Sequence, residues 1–357
     1  MKKTIPTLLF TFLLVVTKAQ PPSGYYNTAT GKSGSTLQQA LHDIIDNHTS
    51  VSYATLWNSF KTTDKKANGK VWDMYSDIPG GTPPYEFTFG TDQCGSTSPT
   101  AEGGCYNREH SWPKSWFGGE IAPMYTDLFH LIPTDSYVNS LRNNYPYGDV
   151  GTALITTDNG TKIGYCVNPG YNNLVFEPRD DYKGDLARNY FYMATRYLKE
   201  DAGWPGSAMA TGSQLKPWAV TMLLIWAQND PVSAKETARN NAVYAIQKNR
   251  NPFIDHPEYA NAIWGTNVGI TEKQAQVALQ VYPNPVSANC TITLPPEFNQ
   301  QYNFTVYSSN GNPVWAPINV SGEKATLNLE NLPAGFYLVQ LIINNYHTVY
   351  QARIVKK

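Results

Sequence analysis

Two short runs hold most of the residues able to do chemistry. The first is Asn107-Arg108-Glu109-His110-Ser111-Trp112-Pro113-Lys114-Ser115. The second is Asp127-Leu128-Phe129-His130-Leu131-Ile132-Pro133-Thr134-Asp135, which leads into Val138-Asn139-Ser140-Leu141-Arg142-Asn143-Asn144. Histidine is the side chain best suited to take a proton from water near neutral pH. A glutamate oxygen and an asparagine amide oxygen are hard donors, which suit Mg²⁺, or Mn²⁺ and Ca²⁺, better than zinc. Arginine forks match phosphate oxygens. A base, a hard cation and a fork together meet the needs of phosphodiester hydrolysis: hydroxide from water, charge neutralisation, and an aligned phosphate. His110 is therefore the expected base, Glu109 and Asn139 the expected metal ligands, and Arg142 and Arg108 the expected phosphate holders.

These residues must be positioned, and one constraint is visible at once. Glu109 and His110 are neighbours, so in a regular strand they leave on opposite faces. Both can face one phosphate only at a strand end, a bulge or a turn, and Gly103-Gly104 before the run and Pro113 after it favour such irregularity. Alone, a Glu-His pair reads as a surface carboxylate beside a satisfied core histidine. His130, between apolar neighbours, reads as structural; so does His256. Glu177, Asp185 and Arg188 read as an ion-pair network, and Arg250 as a turn or site buttress.

The supporting elements follow from periodicity. Leu37, Leu41, Ile44 and Ile45 lie on one helix face, with Thr36 as a cap. Ser52–Phe60 predicts a second helix and Val71–Ser76 a strand. Asp185–Glu200, Trp218–Gln228 and Ala234–Lys248 predict further helices. Residues 265–278 form a polar linker. Beyond it, short alternating runs (Cys290–Leu294, Asn303–Tyr307, Ala325–Leu329, Phe336–Ile343, Thr348–Val355) predict a small β-sandwich. The fold class is α+β: a helix-rich unit over residues 20–264, then an all-β unit over 279–357.

Composition limits the reading. The 357 residues are 41% hydrophobic and 15% charged, enough apolar surface to bury a core. Net charge is −1, so nucleic-acid binding has to come from a local patch or a metal, not from overall basicity. The start, Met1-Lys2-Lys3 followed by a short apolar run, reads as a signal peptide over residues 1–19. No later run is long enough for a spanning helix, so no stable membrane insertion is expected. Export permits disulfides. Cys94 and Cys105 would close a Gly/Ser/Thr-rich loop just ahead of the Glu109 run, and with no Cys-x-x-Cys spacing a zinc site is not expected.

The two runs resemble the endonuclease I family, whose members carry Asn-Arg-Glu-His-x-Trp-Pro-Lys-Ser, Asp-Leu-x-x-Leu-x-Pro-x-Asp and Val-Asn-x-x-Arg-x-Asn. The likeness extends from about Tyr25 to Trp264, through Val71-Trp72-Asp73, Phe176-Glu177-Pro178, Lys183-Gly184-Asp185, Phe191–Tyr197 and Gln247–Glu258. It implies a ββα-metal site in which His110 matches the base, and Glu109 and Asn139 match the metal ligands. Two departures stand out. Position 129 is Phe where relatives often carry His, and the loop Trp116–Thr126 has no Arg. Arg142 is taken as the substitute phosphate holder. The segments Val281-Tyr282-Pro283-Asn284-Pro285 and Leu332-Pro333-Ala334-Gly335-Phe336-Tyr337, with Lys356-Lys357, resemble the sorting domain read by the type IX secretion machinery. That implies passage through the periplasm to the cell surface or the medium.

The expected protein is thus a secreted, non-specific, one-metal endonuclease acting on DNA and RNA as a monomer. The alternative is a catalytically silent nucleic-acid-binding protein or adhesin. A metallopeptidase is disfavoured because no His-Glu-x-x-His helix is present.

Overall fold

The computed structural model describes residues 21–96, 99–265, 277–294, 302–308, 313–314, 318–321, 324–343 and 348–357. The expected signal peptide lies outside them, as does most of the expected linker.

The N-terminal unit is organised around one helix. Helix α1 (Gly34–Ile45) and helix α2 (Leu56–Thr63) come first. Strand β1 (Tyr106–His110), strand β2 (Leu131–Asp135) and helix α3 (Ser136–Arg142) follow. An antiparallel sheet is built from β3 (Val150–Thr156), β4 (Lys162–Cys166) and β5 (Leu174–Glu177). Then comes α4 (Lys183–Arg196), every residue of which is buried. A helix buried on all sides needs its polar groups paired. Arg188 accordingly pairs with Glu236, and Asp185 with Lys235 at 2.6 Å. Glu177 belongs to a separate cluster with Lys183, at 2.8 Å. The single network expected from Glu177, Asp185 and Arg188 is therefore two. Arg250 closes on Asp255 at 2.6 Å, a local structural pair. A hairpin of β6 (Ala210–Thr211) and β7 (Gln214–Leu215) precedes α5 (Pro217–Asn229) and α6 (Ala234–Gln247). One apolar core runs through this unit from Tyr26 to Trp264.

Local hydrogen bonds explain where the sequence expectations slip. Ser33, not Thr36, is the N-cap residue of α1, because the Thr36 hydroxyl bonds back to the Ser33 carbonyl at 2.7 Å inside the first turn. Helix α2 starts later than Ser52, whose hydroxyl accepts the Thr55 amide at 3.2 Å and holds a turn. Val71–Ser76 is not a strand. Asp73 accepts the Tyr75 amide at 2.8 Å, and the Asp77 amide bonds to the Asp73 carbonyl at 2.9 Å, so the chain turns.

The C-terminal unit is a sandwich with its own core. Its strands are β8 (Val277–Ala278), β9 (Gln280–Tyr282), β10 (Asn289–Thr293), β11 (Tyr302–Ser308), β12 (Pro313–Val314), β13 (Ile318–Ser321), β14 (Lys324–Asn328), β15 (Gly335–Ile343) and β16 (Thr348–Lys356). One sheet has the order β13-β14-β10-β9, the other β12-β11-β15-β16-β8. Cys290, Ile292 and Leu327 from the first meet Val306, Val339 and Ile354 from the second. Val277–Ala278, expected to end the linker, instead pair with β16. Pro283-Asn284-Pro285 follows the end of edge strand β9. The prolines offer no amide for a ladder, and the Asn284 side chain bonds β16 instead, at the Arg353 carbonyl (2.7 Å) and the Val355 amide (2.9 Å). No helix among the described residues is long and apolar enough to cross a membrane.

Candidate active site

The site is a strand–strand–helix unit. β1 and β2 pair antiparallel with Glu109 opposite Ile132 and His110 opposite Leu131. β2 runs straight into α3 through Asp135, whose carboxylate accepts the Val138 amide at 2.8 Å and caps the helix. Asp135 is fixed in turn: its own amide donates to buried Asp73 at 2.9 Å, and its second oxygen accepts the Gly103 amide at 2.8 Å. A Cys94–Cys105 disulfide closes the loop immediately before β1.

Regular alternation along β1 sorts the side chains into two groups. Asn107 and Glu109 turn toward α3. The Asn107 Oδ1 accepts the Asn139 amide at 2.8 Å, and Asn107 Nδ2 donates to the Ser136 hydroxyl at 3.0 Å. This pairing orients Asn139, whose Oδ1 has no partner among the described residues. Glu109 is 3% exposed, and its Oε1 accepts from Tyr75 (3.0 Å) and Arg142 (2.9 Å). Burial pushes its carboxyl up to about 7, against the opposing pull of Arg142 and Tyr75. The Tyr75 hydroxyl also meets the Tyr147 hydroxyl at 2.9 Å; with its proton committed to Glu109, it accepts there.

Arg108 and His110 leave on the other face. His110 ends the strand, 8% exposed. Its Nε2 donates to the Tyr125 carbonyl at 3.0 Å, since a carbonyl only accepts. The lone pair therefore sits on Nδ1, which bonds to no described residue and, unlike His130 Nδ1, is not sealed from solvent. Burial, then the neighbouring imidazole of His130 and the cations Lys114 and Arg108, hold the His110 pKa down to about 3, so the ring is neutral. The ring stacks on Tyr125 at 5.2 Å. Arg108 is half-buried, its guanidinium lying 3.6 Å from the Tyr53 ring centroid and 4.3 Å from that of Trp57. Its Nη1 donates to the Tyr53 carbonyl at 2.9 Å, and no carboxylate among the described residues pairs with it.

Arg142 is a correction. Expected to hold phosphate, it has no exposed surface. Its Nη1 also donates to the His110 carbonyl (3.0 Å), and its Nη2 to the Ser111 carbonyl (2.6 Å) and the Tyr190 hydroxyl (3.3 Å). These bonds tie α3 to the end of β1. His130 is fully buried with Nε2 bonded to the Met124 carbonyl at 2.7 Å, the structural role expected of it. His256 bonds Glu258 at 2.9 Å, away from these groups. Sequence reasoning assigned no role to Tyr75, Asn107, Tyr125, Tyr53 or Asp73. Asn107 could have been found from its two-residue spacing to Glu109 in a strand. The hydrogen bond Tyr125 gives His110 comes from a backbone carbonyl, which leaves no residue-type signal.

Among the described residues no three His, Cys, Asp or Glu side chains gather as metal ligands. The candidate pair is one carboxylate and one amide, a donor set of another kind. It fits a hard cation: Asn139 presents a free amide oxygen, and Glu109 Oε2 accepts from no described side chain.

β1 thus carries Asn107 and Glu109, with Asn139 beside them, on one face and Arg108 and strand-ending His110 on the other, without the bulge expected between Glu109 and His110, and comparison with known proteins gives the chain its family. The Endonuclease I model matches residues 33–258, and the secretion system C-terminal sorting domain model matches residues 280–357. The chain is 40% identical over 261 residues to an extracellular ribonuclease of Bacillus amyloliquefaciens, covering 70% of this chain and 81% of the relative. The extracellular ribonuclease of Bacillus subtilis (strain 168) is 39% identical over 254 residues, 67% of this chain and 78% of the relative. Endonuclease-1 of Buchnera aphidicola subsp. Baizongia pistaciae is 28% identical over 130 residues, 36% and 46% of the two chains. The chain belongs to the endonuclease I family. It is a nuclease, exported to the cell exterior by type IX secretion.

Proposed function

We propose that this nuclease hydrolyses phosphodiester bonds of both DNA and RNA without sequence preference, with His110 as general base. The observation that carries the reading is the His110–Tyr125 hydrogen bond: it fixes the tautomer and leaves a neutral nitrogen free to take a proton from water. Arg108, two residues back on the same face, holds the phosphate with its unpaired guanidinium. Glu109 and Asn139 hold one divalent cation, Mg²⁺ first, with Mn²⁺ or Ca²⁺ as substitutes; Mg²⁺ commonly takes one or two protein oxygens. When bound, the cation supplies charge neutralisation at the phosphate and the leaving oxygen. Asn107 keeps the Asn139 amide oxygen presented, and Arg142 with Tyr75 keeps the Glu109 carboxylate in place.

None of these groups reads a base edge, which is why cleavage is expected at all sequences. The relatives' names, extracellular ribonuclease and endonuclease-1, support a substrate range that includes RNA. The protein acts as a monomer, with residues 1–19 removed on export and residues 279–357 serving the sorting machinery. A silent binding protein or adhesin has no observation in its favour, since Glu109, His110 and Asn139 stand in one ordered unit.

The test is nicking of a plasmid and digestion of RNA by the purified protein, before and after chelation. Cleavage of both, lost with EDTA and restored by Mg²⁺ or Mn²⁺, is the expected result. Full activity after exhaustive chelation removes the metal role of Glu109 and Asn139, and no cleavage of either substrate leaves the silent binder.

A further inference from the structure

Two tyrosines from outside the strand–strand–helix unit touch the working groups of β1, each by its ring and by its carbonyl. Tyr53 lies in the turn before α2, 55 residues from Arg108 in sequence. Its carbonyl accepts Arg108 Nη1 at 2.9 Å while its ring lies 3.6 Å from the guanidinium carbon. Tyr125, in the connection between β1 and β2, accepts His110 Nε2 at 3.0 Å and stacks on the imidazole at 5.2 Å with a 14° tilt. The two tyrosines stack on each other at 4.4 Å and 19°. The Tyr53 and His110 rings lie 6.3 Å apart and 14° from parallel. The Tyr53, Tyr125 and His110 rings are thus nearly parallel, and the Arg108 guanidinium carbon lies against the first of them.

From this geometry we infer that Tyr53 is a positioning residue for phosphodiester cleavage: through the stack with Tyr125 it sets the phosphate-holding arginine and the base in register. The inference rests on the roles proposed above for Arg108 and His110. β1 fixes only the backbones of these two residues. Arginine is a long, rotamer-rich side chain, and without a carboxylate partner nothing but the Tyr53 carbonyl and the Tyr53 and Trp57 rings holds its plane. A displacement of about 1 Å between reacting groups can cost on the order of 10²-fold in rate, so a shared rigid support for both groups matters to the chemistry.

The test uses the full-length secreted protein cutting a short single-stranded DNA. Tyr53→Phe keeps the ring and the carbonyl, and Tyr53→Leu keeps only the carbonyl. Tyr53→Phe should retain kcat/KM within about threefold, and Tyr53→Leu should lose about tenfold or more, the scale of a lost cation–π and stacking contact. Because both the binding group and the base are released, KM should rise and kcat fall together. In an Arg108→Ala background the Tyr53→Leu penalty should shrink to about threefold, since residues acting through one another are not additive. Equal activity of Tyr53→Leu and wild type, or an undiminished penalty in the Arg108→Ala background, overturns the inference. Wild-type cleavage by Arg108→Ala alone would instead remove the role of Arg108 beneath it. Urea midpoints are read in parallel; if Tyr53→Leu fails to fold, half-exposed Tyr53 is replaced by Gln, with the same expectation.

Discussion

Arg142→Ala separates a buried structural cation from a substrate ligand. In the folded protein the Arg142 guanidinium has no exposed surface and lies 2.9 Å from a carboxylate that is itself 3% exposed. Removing one partner of a buried pair costs about 3–5 kcal/mol where the other stays ionised, so the comparison is made well above pH 7, the value to which burial raises the Glu109 carboxyl. Of the other groups Arg142 serves, the Ser111 carbonyl keeps the Tyr190 hydroxyl, at 2.8 Å, so the ion pair dominates the loss. For a unit of this size that energy lowers the melting temperature by about 6–20 °C. The assay is urea unfolding followed by tryptophan fluorescence, which reports mainly the nuclease unit because Trp315 is the one tryptophan after Gly265. Arg142→Ala should unfold at clearly lower urea, and adding Glu109→Gln should restore part of the loss, because a neutral amide needs no counter-cation. If Arg142→Ala unfolds at the wild-type midpoint while KM alone rises, Arg142 meets the substrate and the reasoning from burial fails.

His110→Ala should lose about 10²–10⁴-fold in cleavage rate while keeping a native far-UV circular dichroism spectrum; wild-type turnover at neutral pH would remove His110 as the base. Burial pushes the Asp73 carboxyl up to about 7. An acid whose folded pKa lies above its unfolded value of about 3.9 binds its proton more tightly when folded, so its contribution to stability is full below about pH 4 and is lost as pH rises toward 7. The urea midpoint of wild type relative to Asp73→Asn should therefore fall from pH 4 to pH 8, and a pH-independent gap would show that Asp73 is ionised throughout. A chain ending at Gln276 should fold and cut DNA, because the core spanning Tyr26 to Trp264 is complete without the sandwich; aggregation or inactivity of that chain would count against two separable units.

The sequence by itself carried the class of fold and the identity of the chemical groups. Hydrophobic spacing placed α1, α5 and α6 within a few residues, because a helix that buries one face must repeat its apolar residues at helical period. Alternation placed the C-terminal strands for the same reason at period two. Two ordered runs named the candidate site through their resemblance to the endonuclease I family, and Cys94 and Cys105 stood at the ends of a short loop with their pairing left open. The tertiary structure decided which arginine is free. Arg108 and Arg142 are equally charged and each lies inside one of the quoted segments, and only packing shows that one rests against aromatic rings without a carboxylate partner while the other is buried against Glu109. It also decided the side on which each β1 residue works, the tautomer of His110, and the orientation of the Asn139 amide. These depend on a carbonyl from Tyr125, a ring from Tyr53 and an amide from Asn107. Such contacts join groups distant in sequence, and a contact of that kind leaves no periodic trace in either segment.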